Sequence, residues 1–183
     1  ISTGGAGPIG CLHVRLARAL GAKHVMLADI NGDRLALSAN AVRPDRAIDM
    51  SSEDLAAIVL EETHGVGPSV IITAAPAGAA QEQAIAMAAP GGRVSFFGGL
   101  PKDKPMIAVD SNVVHYKELI LAGANGSSPA QNAEALALIA SGKVPVADLI
   151  THRMSLENVK GAIDAVTSGD AIKVVIKPQG VSA

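Results

Sequence analysis

The chain has 183 residues, enough for about one domain with a substantial core. Its hydrophobic fraction of 49% and charged fraction of 17% exclude a disordered chain. A net charge of −2 without a basic block, and aromatics at 2%, argue against nucleic acid as a partner. Apolar stretches stay short of the roughly 18 residues of a membrane span, so no membrane partner is expected. The single cysteine, Cys11, favours a reducing compartment, and we expect a cytoplasmic protein.

Runs rich in Val and Ile alternate with amphipathic stretches, which predicts repeated βα units around a parallel sheet. The predicted strands are 25–28, 47–48, 70–73, 94–97, 119–122 and 172–176. The predicted helices are 8–20, 33–41, 51–65, 79–89, 128–141 and 155–169. Ser51, Ser128 and Ser155 are the predicted caps of three of these helices.

The start of the chain is short for a central strand. Only Ile1 to Thr3 precede the first glycines, where a strand usually has five or six residues. We therefore expect a truncated first strand and a chain that is a fragment.

A glycine motif follows that stub. Gly5, Gly7 and Gly10, with Pro8 and Ile9 between the last two, fit G-x-G-x-x-G before a helical pattern. The first glycine allows a tight turn, the second lets the backbone approach a pyrophosphate, and the third lets helix and strand pack closely. The amides at the start of the helix would face the anion. A glycine turn without a ligand is the alternative.

Asp29 ends the next strand, 19 residues after Gly10, where an acid can bind the adenosine ribose. It would repel a 2′-phosphate, and Ile30, Asn31 and Gly32 supply no cation to offset it, so NAD is predicted rather than NADP. Arg34 lies against the adenosine or is a solvated helix cation. With the βα pattern, these features predict an α/β, Rossmann-type doubly wound parallel sheet in three α/β/α layers.

Other users of this fold fit less well. Methyltransferases usually carry an acid just before the glycine loop, where this chain has Ser2 and Thr3. Short-chain dehydrogenases need Tyr-x-x-x-Lys, and the only tyrosine gives Tyr116-Lys117. A stand-alone NAD-sensing or scaffold domain without catalysis remains open.

Several motifs resemble the medium-chain, zinc-dependent alcohol dehydrogenases, nearest the sorbitol (L-iditol) and threonine dehydrogenase branch. They are Gly-Ala-Gly-Pro-Ile-Gly (5–10), Ala-Asp-Ile-Asn-Gly-Asp-Arg (28–34), Pro-Gly-Gly-Arg-Val (90–94), Phe-Phe-Gly-Gly-Leu-Pro (96–101), His-Tyr-Lys-Glu-Leu (115–119), Leu-Ile-Thr-His-Arg (149–153) and Ser-Gly-Asp-Ala-Ile-Lys-Val-Val-Ile-Lys-Pro (168–178). The resemblance covers essentially the whole chain, in the order the family has.

The resemblance implies an NAD-binding domain over residues 1–145 and a segment, 146–183, that returns to an absent N-terminal catalytic domain. It implies cofactor contacts at Gly5, Gly7, Pro8, Ile9, Gly10, Asp29, Arg34, Phe97, Gly98, Gly99, Gly123, Ala124, Asn125 and Lys173. Ile9 would lie near the pyrophosphate and ribose, 97–99 near the nicotinamide, 123–125 at its carboxamide, and Lys173 at the pyrophosphate.

For the parent enzyme the resemblance implies NAD-dependent oxidation of a secondary alcohol or sugar alcohol. Zinc would be bound by ligands outside this chain, so no catalytic or metal residue is assigned here, and the chain alone should be inactive. Cys11 and the five histidines show no metal-ligand spacing. Asn125 stands where polyol dehydrogenases often carry a basic residue. Family members pair the 119–122 strand across a two-fold axis, which predicts a homodimer or homotetramer.

Overall fold

The computed structural model describes residues 2–3 and 5–178, where strands alternate with helices. The strands are β1 (Ser2–Thr3), β2 (Met26–Asp29), β3 (Arg46–Asp49), β4 (Val70–Thr73), β5 (Arg93–Phe96), β6 (Ile120–Gly123), β7 (Ile150–Ser155) and β8 (Lys173–Lys177). The helices are α1 (Pro8–Ala19), α2 (Gly32–Val42), α3 (Leu55–Glu62), α4 (Gly78–Met87), α5 (Ser111–Tyr116), α6 (Pro129–Ala140) and α7 (Val159–Ser168). Short 3₁₀ turns at Ala147–Leu149 and Leu156–Asn158 flank β7.

The main sheet has six parallel strands in the order β3-β2-β1-β4-β5-β6. The chain reverses direction across the sheet between β1 and β4. In an open α/β sheet a ligand binds outside the carboxyl ends of the strands, at this switch point. The predicted doubly wound fold is confirmed.

Helices cover both faces of this sheet. On one face α3 and α4 contribute Leu55, Val59 and Ile85 to a cluster with Ile48 and Ile71. A second cluster on the other face holds residues of α1 and α2, among them Cys11, Val14, Leu35 and Val42. The predicted three α/β/α layers are therefore present.

The described part of the first strand is short. Ser2 pairs with Leu27 on one side and Ile72 on the other, and Thr3 continues both ladders for one residue. Ile1, which the sequence placed in the same strand, lies outside the described residues.

Near the end of the described chain, β7 and β8 form a separate two-stranded parallel sheet. It is attached to the first unit through Leu149 and Ile172, which are buried in the α1/α2 cluster. Arg15 of α1 adds polar contacts, because its guanidinium donates to Asp148 Oδ1 at 2.7 Å and to the carbonyl of Pro145.

Two predicted caps are wrong. Asp54, and not Ser51, caps α3, since its Oδ1 accepts from the amides of Ala56 and Ala57. Ser51 instead donates to Asp49. Ser155 precedes a 3₁₀ turn and makes no side-chain cap.

Ser128 is the predicted cap that the structure confirms. It forms a capping box with Gln131 at the start of α6. Among the described residues, no helix is long and apolar enough to cross a membrane.

Candidate dinucleotide site at the carboxyl ends of the strands

The glycine motif forms a tight turn between β1 and α1. The amide of Gly5 donates to the carbonyl of Ala28 at 3.0 Å, which fixes the turn to β2. A Cβ built on Gly10 would lie 1.6 Å from the carbonyl oxygen of Gly5, so only glycine allows this approach of helix and turn. Gly10 therefore has the packing role that the motif predicts for its third glycine.

Gly7 and Ile9 face open space. A Cβ on Gly7 would meet no atom within 4 Å. Gly7 is also the residue directly before α1, and no side chain caps the helix there. Pro8 occupies the first helical position, and Ile9 is 46% exposed. Among the described residues no side chain caps the first amides of α1, an arrangement that suits a phosphate.

Asp29 is fully buried at the end of β2. Its Oδ2 accepts from the amide of Ala6 at 2.9 Å, and its Oδ1 accepts from the amide of Asn31 at 2.9 Å. Arg34 donates to both oxygens, at 2.8 and 3.0 Å. The carboxylate thus ties the glycine turn to the start of α2, and its charge is matched by Arg34.

Arg34 lies on Asp29 rather than in open solvent. Its side chain is 32% exposed, and among the described residues its buried Nε has no hydrogen-bond partner. Asn31 holds the helix start below it, since its Oδ1 accepts from the amide of Arg34 at 2.9 Å. The corner predicted to bind the ribose is therefore built and paired in the structure.

The 97–99 segment follows β5 and is fastened to the end of β4, one of the two strands that border the switch point. The amide of Gly98 donates to Thr73 at 2.7 Å, and the carbonyl of Gly98 accepts from Gln81 Nε2 at 3.1 Å. A Cβ on Gly98 would lie 2.8 Å from the carbonyl oxygen of Ala75, whereas Gly99 has open space beside it. The required glycine shows that two backbone segments meet closely here.

Phe97 connects this segment to α1 through His13, which the sequence did not single out. The two rings meet edge to face, with centroids 4.7 Å apart. His13 is largely buried, which lowers the pKa of its imidazole, and its Nδ1 has no partner among the described residues. Its position, four residues after Ile9 on the same helix, was the available signal, because such pairs share a helix face.

The remaining predicted positions lie further from the glycine turn. Gly123, Ala124 and Asn125 are exposed at the end of β6, and the amide of Ala124 donates to Phe96 at 3.3 Å. They share the carboxyl edge of the sheet with the 97–99 segment. Lys173 is exposed at the start of β8 opposite Ile150, in the second sheet.

The C-terminal segment nevertheless reaches the ribose corner. Gly169, which ends α7 at a φ of 88°, lies so close that a Cβ on it would be 3.2 Å from Asn31 Nδ2 and 3.8 Å from the Cβ of Arg34. Sequence patterns predicted Gly169 as a helix stop but gave no sign of this contact.

A zinc centre does not fit the residues described. Within 2–3 and 5–178, no three His, Cys, Asp or Glu side chains are grouped to hold a metal ion. Cys11 is buried beside Ser38, and burial raises the pKa of its thiol. It packs as a small apolar residue, as predicted.

Comparison with known proteins agrees with this geometry. Over 172 residues the chain is 31% identical to L-threonine 3-dehydrogenase from Anaeromyxobacter dehalogenans, covering 94% of this chain and 49% of that protein. The L-threonine 3-dehydrogenase of Photorhabdus laumondii is 31% identical over 174 residues, with the same coverage. The chain thus spans about half the length of these relatives.

Two solved structures share the fold. Alcohol dehydrogenase TADH from Thermus sp. ATN1 is 26% identical with a TM-score of 0.88, over 99% of this chain and 50% of that one. A zinc-binding dehydrogenase from Sinorhizobium meliloti, bound to NADP, is 26% identical with a TM-score of 0.82, over 97% and 51%. Residues 8–141, from α1 past the end of α6, match the family described as zinc-binding dehydrogenase. On the glycine turn, the six-stranded order and this match, the chain belongs to the zinc-binding dehydrogenase family.

Proposed function

We propose that this chain binds NAD across the carboxyl ends of β1 and β4 as the coenzyme-binding half of an alcohol dehydrogenase. The observation that carries the proposal is the approach of Gly10 to Gly5, which a Cβ would block, next to the free start of α1. Asp29, hydrogen-bonded to Ala6 of the same turn, stands where a ribose acceptor is needed. This cradle fits a dinucleotide.

The predicted contacts hold different parts of the cofactor in this proposal. The turn and the first amides of α1 hold the pyrophosphate, Asp29 and Arg34 hold the adenosine ribose, and Phe97 orients the nicotinamide with the backbone that follows it. The proposed contacts are Gly5, Gly7, Pro8, Ile9, Gly10, Asp29, Arg34, Phe97, Gly98, Gly99, Gly123, Ala124, Asn125 and Lys173. NAD supplies the hydride acceptor, and the part of this chain is to position it.

For the whole protein we propose zinc-dependent oxidation of a secondary alcohol. The two relatives described above are named L-threonine 3-dehydrogenase, which favours a threonine-like substrate over sorbitol. The zinc ligands and the substrate site would belong to a catalytic domain outside this chain. We propose a boundary between residues 145 and 146, because β7 and β8 leave the main sheet for their own.

The cofactor preference is proposed as NAD, although relatives of similar identity carry either form. A dehydrogenase from Escherichia coli CFT073, 25% identical with a TM-score of 0.84 over 96% of this chain and 51% of that one, is complexed with NADH. The Sinorhizobium enzyme is bound to NADP. We propose a cytoplasmic homodimer or homotetramer, assembled through the exposed strand β6.

The test is a calorimetric titration of the 183-residue chain with NAD. We expect weak binding, because polar contacts to the cofactor contribute less in a site that stays wet. Asp29→Asn should weaken binding further, since it removes the carboxylate that holds Arg34 and the amide of Ala6 in place, while Asp103→Asn, a change in an exposed loop, should not. Absence of NAD binding, or equal binding by both variants, would contradict the proposal.

A second measurement separates an enzyme half from an NAD-sensing or scaffold domain. The chain is incubated with NAD, zinc and sorbitol, threonine or simple secondary alcohols while NADH absorbance is followed. We expect no turnover from this chain alone, and turnover after a catalytic half from an L-threonine 3-dehydrogenase is fused to it. Zinc-dependent turnover by the chain alone would refute the assignment of the chemistry to another domain. Binding without turnover in the fusion would support the sensor.

A further inference from the structure

We propose that Asp49, and not Asp29, is the residue that makes this site prefer NAD over NADP. The inference rests on the proposed binding of NAD. It follows from the charges that the fold places around the ribose corner, at the ends of β2 and β3.

The charge of Asp29 is already compensated. Arg34 contacts both of its carboxylate oxygens, and two backbone amides, of Ala6 and Asn31, donate to the same oxygens. A 2′-phosphate arriving at this position would meet an ion pair with no net charge. The sequence alone predicts that Asp29 repels a 2′-phosphate, but in the folded protein Arg34 largely cancels this repulsion.

Asp49 is the uncompensated carboxylate at the same corner. It is the register partner of Asp29 on the neighbouring strand. Its Oδ2 lies against the first residue of α2, because a Cβ on Gly32 would be 2.7 Å from that oxygen. Since neighbouring strands run about 4.8 Å apart, a phosphate held at Asp29 lies within one Debye length of Asp49.

The surroundings of Asp49 keep it ionised and fixed in place. Its Oδ1 accepts from the amide of Ser51 at 2.9 Å and from the Ser51 hydroxyl at 2.6 Å. These hydrogen bonds hold the pKa of the carboxyl below its usual value. Among the described residues no Lys or Arg pairs with Asp49, and the nearby Arg46 is paired with Glu53.

The substitution that isolates the charge is Asp49→Asn. An asparagine Oδ1 can still accept both Ser51 hydrogen bonds, so the turn after β3 is preserved while the negative charge is removed. Calorimetry should show that the affinity for NAD is unchanged and that the affinity for NADP rises, so that the NAD-to-NADP affinity ratio falls roughly fivefold. A fall of this size is expected when the repulsion between a carboxylate and a doubly charged phosphate about 8 Å away in water is removed. Asp49→Lys should move the ratio further in the same direction.

Two controls test whether the change in the affinity ratio comes from the charge of Asp49 at this site. Asp103→Asn removes the same charge from an exposed loop and should leave the ratio unchanged, which excludes an effect of net charge. In the unmodified chain, raising the salt from 0.05 to about 0.5 M should narrow the ratio, because the repulsion is screened. The salt titration uses the unmodified chain, so its result does not depend on whether a variant folds.

The outcomes separate this inference from the proposed function. If NAD binds and neither Asp49 substitution changes the ratio, or salt leaves it unchanged, the inference is wrong while the NAD site stands. If neither dinucleotide binds the unmodified chain, the proposed function and this inference are both overturned.

Discussion

The approach of Gly10 to the glycine turn gives the sharpest test of the site geometry, through Gly10→Ala. The added methyl would lie 1.6 Å from the carbonyl oxygen of Gly5 and 2.4 Å from its carbonyl carbon. Both are backbone atoms, so no side chain can rotate away, and α1 must move from β1. Overpacking of a core costs about 1–3 kcal/mol, and a backbone contact this close belongs at or above the upper end. The better helix propensity of alanine returns up to about 1 kcal/mol.

We therefore expect Gly10→Ala to lower the free energy of unfolding by about 2–3 kcal/mol and to abolish NAD binding. Gly7→Ala is the matched control, because its methyl would enter open space and the backbone there has a φ of −82°. It should leave stability within about 0.5 kcal/mol and weaken NAD binding, since the pyrophosphate needs that space. Urea unfolding monitored by circular dichroism gives the first quantity, and calorimetry the second. A Gly10→Ala chain as stable as the unmodified one would refute the geometry of the turn.

Two further outcomes are expected. Burial holds the pKa of His13 below its usual 6.5, so below about pH 6.5 the unfolded chain takes up a proton before the folded chain does, and the free energy of unfolding falls. His13→Phe should therefore make the free energy of unfolding depend less on pH between about pH 5 and 7. An unchanged dependence on pH would contradict this. Leu121 is exposed on the edge strand β6, so Leu121→Lys should convert the dimer into a monomer in sedimentation equilibrium. Lys143→Ala, a change at another exposed position, should leave the dimer intact. If the unmodified chain is already a monomer, the proposed assembly is wrong.

The strands and helices of the main sheet could be predicted because their signals are local. β4 was placed at its exact bounds, since Val70 to Thr73 is a β-rich apolar run with turn residues on both sides. Residues Ser111–Tyr116 and Ile150–Ser155 were not predicted as α5 and β7. The first is only six residues long. The second mixes polar and apolar residues, and its pairing with β8 is not visible in a short stretch of sequence.

The caps show how local patterns can be displaced by tertiary contacts. Ser51 and Asp54 have the spacing of a capping box, and either could begin α3. Ser51 is taken up by Asp49, whose position is set by the pairing of β3 with β2. Asp54 is left to accept the first amides of the helix. The choice depends on a strand pairing that no short sequence window contains.

The candidate site shows the same division between what the sequence holds and what folding adds. Spacing alone predicts that Gly10 lies in the glycine turn and that Asp29 ends the second strand, because both positions are fixed by the βα unit itself. Whether the charge of Asp29 is compensated depends on Arg34, five residues later in the chain. The sequence alone does not decide whether Arg34 contacts Asp29, the cofactor or solvent. Asp49 comes 20 residues after Asp29 and meets it only through the β2–β3 register. If Asp49 acts as proposed, the preference of this chain for NAD depends on charges at the paired ends of β2 and β3, and Asp29 alone does not determine it.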